Sequence, residues 1–206
     1  MGRHADSAAT LVLRRIRRMR PGAIFTPRDL ADLGTRTAVA SALSRHTRAG
    51  TIVRPVRGLY QVPSTDPVLG AIRPTPDVIA KALGGRDRIR LQPAGAYAAN
   101  LLGLSDQVPL KIVYLTDGTA RRLQVGRQQI VLRRTTPRTM ATAGRISGLV
   151  IQALRHLGPD HVDDHTIARL RRRLSPRDRA QLRRDTHLAP AWVAELLRAI
   201  AAGGGS

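Results

Sequence analysis

Pro21-Gly-Ala-Ile-Phe-Thr-Pro-Arg-Asp-Leu-Ala-Asp-Leu-Gly34, Thr35-Arg-Thr-Ala-Val-Ala-Ser-Ala-Leu-Ser-Arg-His-Thr-Arg-Ala-Gly50 and Thr51-Ile-Val-Arg-Pro-Val-Arg-Gly-Leu-Tyr-Gln-Val-Pro63 follow one another without a gap and read as one unit. Thr26 caps a short helix, and Pro27 stands at its first position, where a missing N–H costs nothing. Leu30 and Leu33 share a face, and Gly34 is placed to take the left-handed conformation that ends a helix. Thr35 re-caps at once, so the turn is tight. A second helix runs from about Arg36 to Ala49, with Val39, Ala42 and Leu43 as its apolar seam. Ile52–Arg54 and Leu59–Val62 read as two strands, with Pro55 and Gly58 supplying the turn chemistry. This order predicts a winged helix-turn-helix.

The exposed side of the second helix carries residue types that bond base edges and phosphates. The predicted DNA contacts are Arg28, Thr35, Arg36, Thr37, Ser41, Arg45 and Arg48, with Arg54 and Arg57 near the wing tip. A basic amphipathic helix is also what an ordinary solvated face looks like, and a helix–turn–helix alone is weak evidence. The added wing and its arginines favour DNA. Tyr60, beside the wing, reads as core packing ahead of a backbone contact. Upstream, Ala9–Arg20 is expected to be a basic helix with Leu11, Ile16 and Met19 facing the core.

Outside this stretch, composition sets the bounds. The chain has 206 residues, a formal net charge of +21 and a sequence pI near 11.9. That balance implies a polyanionic partner, because neutralising phosphates releases counterions. Nearly all the cations are arginine, the only lysines being Lys81 and Lys111. Arginine suits bidentate phosphate and guanine contacts, although a biased genomic base composition would give the same excess. Cysteine is absent, which excludes disulfides and thiolate metal sites or nucleophiles. No apolar run approaches a membrane span and the N-terminus lacks a secretory pattern, so a cytoplasmic location is expected. Aromatics at 2% leave little for base stacking, which weighs against a dedicated RNA or single-strand platform.

The proline-rich segment from Gln61 to Pro76 predicts a boundary near Asp66. The expected organisation is a DNA-binding domain at 1–66, an α+β domain at 67–202, and a tail at 203–206 that is either disordered or an appended remnant. Thr75 and Pro76 open a helix with Val78, Ile79 and Leu83 apolar. Ile89–Gln92 reads as a strand and Ala94–Leu102 as a helix stopped by Gly103. Lys111–Thr116 reads as a strand, with Asp117-Gly118 as a hairpin turn after it. Arg121–Val125 and Gln129–Arg134 continue the sheet. Helices are expected at Ser147–Leu157, Asp164–Leu174, Ser175–Asp185 and Ala191–Ala201. The fold class is therefore α+β, a winged helix-turn-helix followed by a mixed α/β domain with a helical C-terminal tail.

The string Gly22 to Leu30, then Ala38 to Arg45 and Arg57-Gly-Leu-Tyr60, resembles the N-terminal part of AbiEi-like antitoxins. Gln92-Pro-Ala-Gly-Ala-Tyr-Ala-Ala-Asn-Leu-Leu-Gly-Leu-Ser105, Gln107-Val-Pro109 and Val113-Tyr-Leu-Thr-Asp-Gly118 resemble that family's central motif. Asp106 departs from its usual polar residue. The resemblance implies an antitoxin of an abortive-infection, type IV toxin–antitoxin pair. Such a protein represses its own operon at inverted-repeat operator DNA and counteracts a nucleotidyltransferase-like toxin without a stable direct complex. The residues so implied for the antitoxin domain are Ser105, Gln107, Arg121 and Arg122.

Chemistry beyond this is sparse. Asp160-His161-Val-Asp-Asp-His165 has metal-capable side chains, but Asp163 or Asp164 as a helix cap is the favoured reading. Gly84-Gly85 and Gly126 lack phosphate-loop spacing, and Ser105 lacks the second glycine of a nucleophile elbow. No catalytic residue, metal site or cofactor is expected, and the chain is not read as an enzyme. The alternatives are a plain winged-helix regulator with a ligand-binding or dimerisation domain, and a basic RNA-binding protein. For the last, the candidate surface is Arg169, Arg172, Arg173, Arg179, Arg183 and Arg184, which is equally a solvated face.

Overall fold

The computed structural model describes residues 7–202, a mixed α+β protein of two compact units, Met1–Arg86 and Asp87–Ser206. Residues 1–6 and the tail expected at 203–206 lie outside the described residues. The expected boundary near Asp66 is displaced. The helix Pro76–Asp87, expected to open the second domain, falls within the first unit up to Arg86. Proline density marks where the chain turns, not where its contacts stop.

The first unit begins with α1 (Ala8–Arg17), β1 (Ile24–Phe25) and a 3-10 helix over Pro27–Leu33. It continues with α2 (Arg36–Arg48), β2 (Val53–Val56) and β3 (Leu59–Gln61). The short β4 (Thr65–Asp66) and β5 (Gly70–Ala71) and α3 (Pro76–Asp87) close it. In α1 the core residues are Val12 and Ile16; Leu11 and Met19 are only half-buried. Val12 and Ile16 stand four apart and stack on one face, which the expected set missed by one position. The Pro27–Leu33 turn is held by Asp29, whose carboxylate accepts from the Thr26 N–H at 2.7 Å and its hydroxyl at 2.9 Å. Gly34 does not adopt the left-handed helical conformation; its φ is 155° and ψ −176°, a different positive-φ backbone that is essentially confined to glycine and leads directly into the Thr35 cap.

Thr35 Oγ1 accepts from the Ala38 N–H at 3.2 Å. Val39, Ala42 and Leu43 then bury against Val12, Ile16, Phe25, Leu30 and Ile52. Burying each large aliphatic here contributes about 1.5–3 kcal/mol. Strands β1, β3 and β2 form an antiparallel sheet in that order. Pro55 lies inside β2 rather than in the turn. β2 is an edge strand whose register shifts between Val53 and Val56, which is where a residue without an N–H is tolerated. The turn itself is Arg57-Gly58, and Gly58 supplies its positive φ of 79°.

The second unit contains β6 (Leu91–Ala94), α4 (Ala96–Leu101), β7 (Lys111–Thr116), β8 (Arg121–Val125) and β9 (Gln128–Arg134). After them come α5 (Pro137–Met140), α6 (Ile146–Leu157), α7 (Asp164–Arg173), α8 (Pro176–Asp185) and α9 (Ala191–Ala202). The sheet order is β6-β7-β9-β8, with β7 and β9 parallel. Asp117-Gly118 is therefore not the turn of a β7–β8 hairpin. β7 already pairs with β6 and β9, and the hairpin is β8–β9. The Asp117 carboxylate instead accepts from the Arg90 N–H and Nε, both at 2.8 Å, which holds it below the usual carboxylate range.

One sheet face buries Ile112, Tyr114, Ile130 and Leu132. The helical core gathers Val150, Leu154, Leu170, Leu182, Val193, Leu197 and Ile200. Asp185 ties α6 to α8. Its carboxylate accepts from Ser147 Oγ, from Gln181 Nε2 at 2.7 Å and from Arg145 Nη1 at 3.0 Å. No helix among the described residues is long and apolar enough to cross a membrane.

Candidate nucleic-acid interface

Side chains on α2 divide cleanly. Val39, Ala42 and Leu43 face the core, while Arg36, Thr37, Ser41, Arg45 and Arg48 are exposed. The division follows largely from helical periodicity, since 37, 41, 45 and 48 fall opposite the 39/42/43 stripe, while Arg36, on the stripe side, is exposed at the first position of the helix. Thr35 and Arg28 are exposed as well. Among the described residues, none of Arg36, Arg45, Arg48, Arg54 and Arg57 has a carboxylate partner, whereas Arg15 of α1 pairs with Asp32 at 2.7 Å. The cations of α2 and the hairpin are left unneutralised.

The hairpin of β2 and β3 stands on the core through Tyr60, which is buried and stacked on Phe25 with ring centroids 5.8 Å apart. Arg54 lies over the Tyr60 ring, 5.7 Å from its centroid, on the strand side of the hairpin and not at its tip. Arg57 occupies the tip and is exposed. Two contacts fix that tip. Arg86, near the end of α3, donates from Nη1 to the Arg57 carbonyl at 2.7 Å. Arg28 donates from Nη1 to the Arg86 carbonyl at 3.1 Å. The 3-10 helix, α3 and the hairpin are thereby linked through three arginines, and Arg28 is part of a brace as well as an exposed cation.

Arg86 is the residue that sequence reasoning missed. No local signal identifies it, because its role depends on a carbonyl 29 residues away in sequence. His46 of α2 carries a buried Nε2 without a protein partner, and its carbonyl accepts from the Thr51 N–H at 3.0 Å.

The residues that the resemblance implied for a second-domain motif lie on separate elements, Ser105 and Gln107 between α4 and β7 and Arg121 and Arg122 on β8. Asn100 Nδ2 donates to the Ser105 and Gln107 carbonyls at 3.0 and 3.1 Å, and Ser105 Oγ accepts from the Gln107 N–H at 3.3 Å. That geometry makes Ser105 a turn residue after Gly103, whose φ is 65°. Arg121 pairs with Asp87, while its neighbour Arg122 is exposed. In the polar cluster near residue 160, Asp163 caps α7 by accepting from the Thr166 N–H at 2.8 Å. The hydrogen bonds from Thr166 hold its carboxyl below the usual range. Asp160, His161 and His165 are exposed.

The arginines of α7 and α8 are divided between structure and solvent. Arg171 donates from Nε to the Ala199 carbonyl at 3.0 Å, Arg183 to the Ala201 carbonyl at 3.0 Å, and Arg173 to the Leu101 carbonyl at 3.2 Å. These carbonyls end α9 and α4, where helix termini leave acceptors unsatisfied and negative. Arg169, Arg172 and Arg184 remain on the exposed surface.

A family model described as a family of unknown function, DUF6088, matches residues 11–182. No curated protein matches. Among solved structures, the crystal structure of the RV2827C protein from Mycobacterium tuberculosis aligns with 100% of this chain and 84% of that chain, at 22% identity and a TM-score of 0.43. So distant a likeness carries no argument about this chain.

Proposed function

For this chain, which belongs to DUF6088, a family of unknown function, we propose sequence-specific binding of double-stranded DNA by the first unit. The order α1, β1, 3-10 helix, α2, β2, β3 supports reading the unit as a winged helix-turn-helix, with α2 as the helix for the major groove and the β2–β3 hairpin as the wing. The observation that carries the reading is the row of exposed arginines on α2 and the wing without carboxylate partners. Solvated faces usually mix the two signs, whereas an unneutralised row matches a phosphate backbone. Thr37 and Ser41 add short donors and acceptors for base edges.

The similarity of the Gln92–Gly118 strings to AbiEi-like antitoxins supplies the biological context of the proposal. The protein represses its own operon at inverted repeats, and its second unit opposes a nucleotidyltransferase-like toxin encoded beside it. Cytoplasmic action follows from that role.

Fluorescence anisotropy on the native upstream duplex and a scrambled duplex, across a salt series, tests the DNA reading. A preference of about a thousandfold for the native sequence is expected, the lower end for specific binders. Equal binding with a steep salt slope would refute it. Arg36→Ala or Arg45→Ala costs about 1–3 kcal/mol of discrimination at the base each reads. The antitoxin half is tested by co-expression with the adjacent toxin. Residues 1–66 were the expected DNA-binding fragment; with α3 braced to the wing, the fragment to use is 1–86. Neutralisation by that fragment alone would overturn the division of labour.

A further inference from the structure

We propose that the open face of the second unit's sheet binds a nucleoside polyphosphate. Strands β7 and β9 pair with Val113 opposite Val131, and β9 pairs with β8 so that Val131 is opposite Arg122. Because side chains alternate along a strand, Lys111, Val113, Val131, Arg133 and Arg122 share one face. The opposite face is the buried one of Ile112, Tyr114, Ile130 and Leu132. At its β6 end the first face is covered, since Leu115 packs with Ala94 and Met140. Toward β9 and β8 it is not covered. There a concavity of about 390 Å³ opens, floored by Val113 and Val131 and lined by Lys111, Arg121, Arg122 and Arg133.

The lining contains four cations and no carboxylate. Arg121 stands opposite Leu132 in the register, so it belongs to the other face, and it pairs with Asp87. Among the described residues Lys111, Arg122 and Arg133 have no carboxylate partner. Three free cations around two valines match one ligand chemistry well. The phosphates take the cations and the apolar face of a base lies on the valines. The volume is within the range of small-molecule sites. The absence of aromatic side chains from the floor disfavours a single-strand platform, which relies on stacking.

Isothermal titration calorimetry of the full chain with ATP, inorganic triphosphate and adenosine tests this. One ATP per chain is expected, bound more tightly than either component. The Arg122→Gln/Arg133→Gln double variant weakens it at least about tenfold, the loss of one charge-assisted contact. Arg169→Gln/Arg172→Gln, which removes two exposed cations of α7, leaves it unchanged. Lys111→Gln is the second variant if the double one unfolds by circular dichroism, and it too weakens ATP. Equal losses in the sheet and α7 variants would overturn the site, because the attraction would then be generic charge. Triphosphate as tight as ATP would refute the nucleoside assignment. Absence of ATP binding, with scrambled-duplex binding that depends on Arg122 and Arg133, would assign the face to nucleic acid and overturn the proposal.

Discussion

Two glycines in helices give opposite expectations for the same substitution. Gly148 lies in α6, where a Cβ would stand 2.5 Å from Gln92 Oε1 and 3.0 Å from its Cδ, and would collide with the Thr142 carbonyl. Both oxygens are in use: Gln92 Oε1 accepts from the Gly144 N–H at 3.3 Å, and the Thr142 carbonyl from the Arg145 N–H at 3.1 Å. Gly148→Ala forces the helix or the Thr142–Arg145 turn aside, and overpacking of this kind costs about 1–3 kcal/mol. If Gln92 is displaced, the Gly144 N–H loses its partner and adds about 1–3 kcal/mol. The gain in helix propensity returns only about 1 kcal/mol. With Gln92 displaced, the net is a destabilisation of about 1–5 kcal/mol. Gly85 in α3 meets nothing within 4 Å of an added Cβ. Gly85→Ala is therefore expected to stabilise by about 0.5 kcal/mol, less than the full propensity gain because the site is near the helix end. Urea unfolding followed by far-ultraviolet circular dichroism separates them. Gly148→Ala lowers the midpoint of its unit by about 1 M or more, given typical urea slopes of about 1–3 kcal/mol per M. A neutral or stabilising Gly148→Ala would refute the packing argument at the α6–Gln92 contact.

Three further perturbations follow from the geometry. Burial raises the Asp185 carboxyl's pKa, but hydrogen bonds from Ser147 and Gln181 and the Arg145 charge outweigh it and hold it below the usual range. Its stabilisation is therefore present above about pH 4, the unfolded value, and is lost as pH falls through the lower folded value. Asp185→Asn is expected to cost about 1–3 kcal/mol at pH 7, discounted because Arg145 is half exposed, and the gap to the parent narrows in urea melts at pH 3. Arg57→Ala is expected to weaken all duplexes alike and flatten the salt slope by about one; a sequence-selective loss would contradict the wing assignment. Arg86→Ala loosens the wing tip, so anisotropy should show weaker binding with the salt slope unchanged. A slope change as large as that of Arg57→Ala would mean that Arg86 itself meets phosphate.

The helices and strands were largely legible because their signals are local. Thr35, Asp163 and Ser175 cap the helices that follow them, each accepting from a backbone N–H three residues on, whereas the short α5 behind Thr136 was not expected. Apolar spacing located α2, α6 and α9. The division of α2 into a buried stripe and a basic face followed from period alone. Capping and periodicity act within a few residues, so a chain read one window at a time carries them intact.

What the sequence by itself determined was the set of elements and the one-sided charge of α2. Both depend on contacts between neighbours in the chain. The tertiary structure decided which strands pair, where the first unit ends, and which arginines are already bonded. Asp117-Gly118 carries a hairpin signal, yet β7 pairs with β9 in parallel, because the two edges of β7 were claimed by strands distant in sequence. Arg86 braces the β2–β3 hairpin and Arg171, Arg173 and Arg183 cap helix ends, while Arg122 and Arg133 have no carboxylate partner among the described residues. All are arginines in basic surroundings. Only the backbone carbonyls and carboxylates that the fold brings within about 3 Å, the reach of a hydrogen bond, distinguish a structural cation from one left for a ligand.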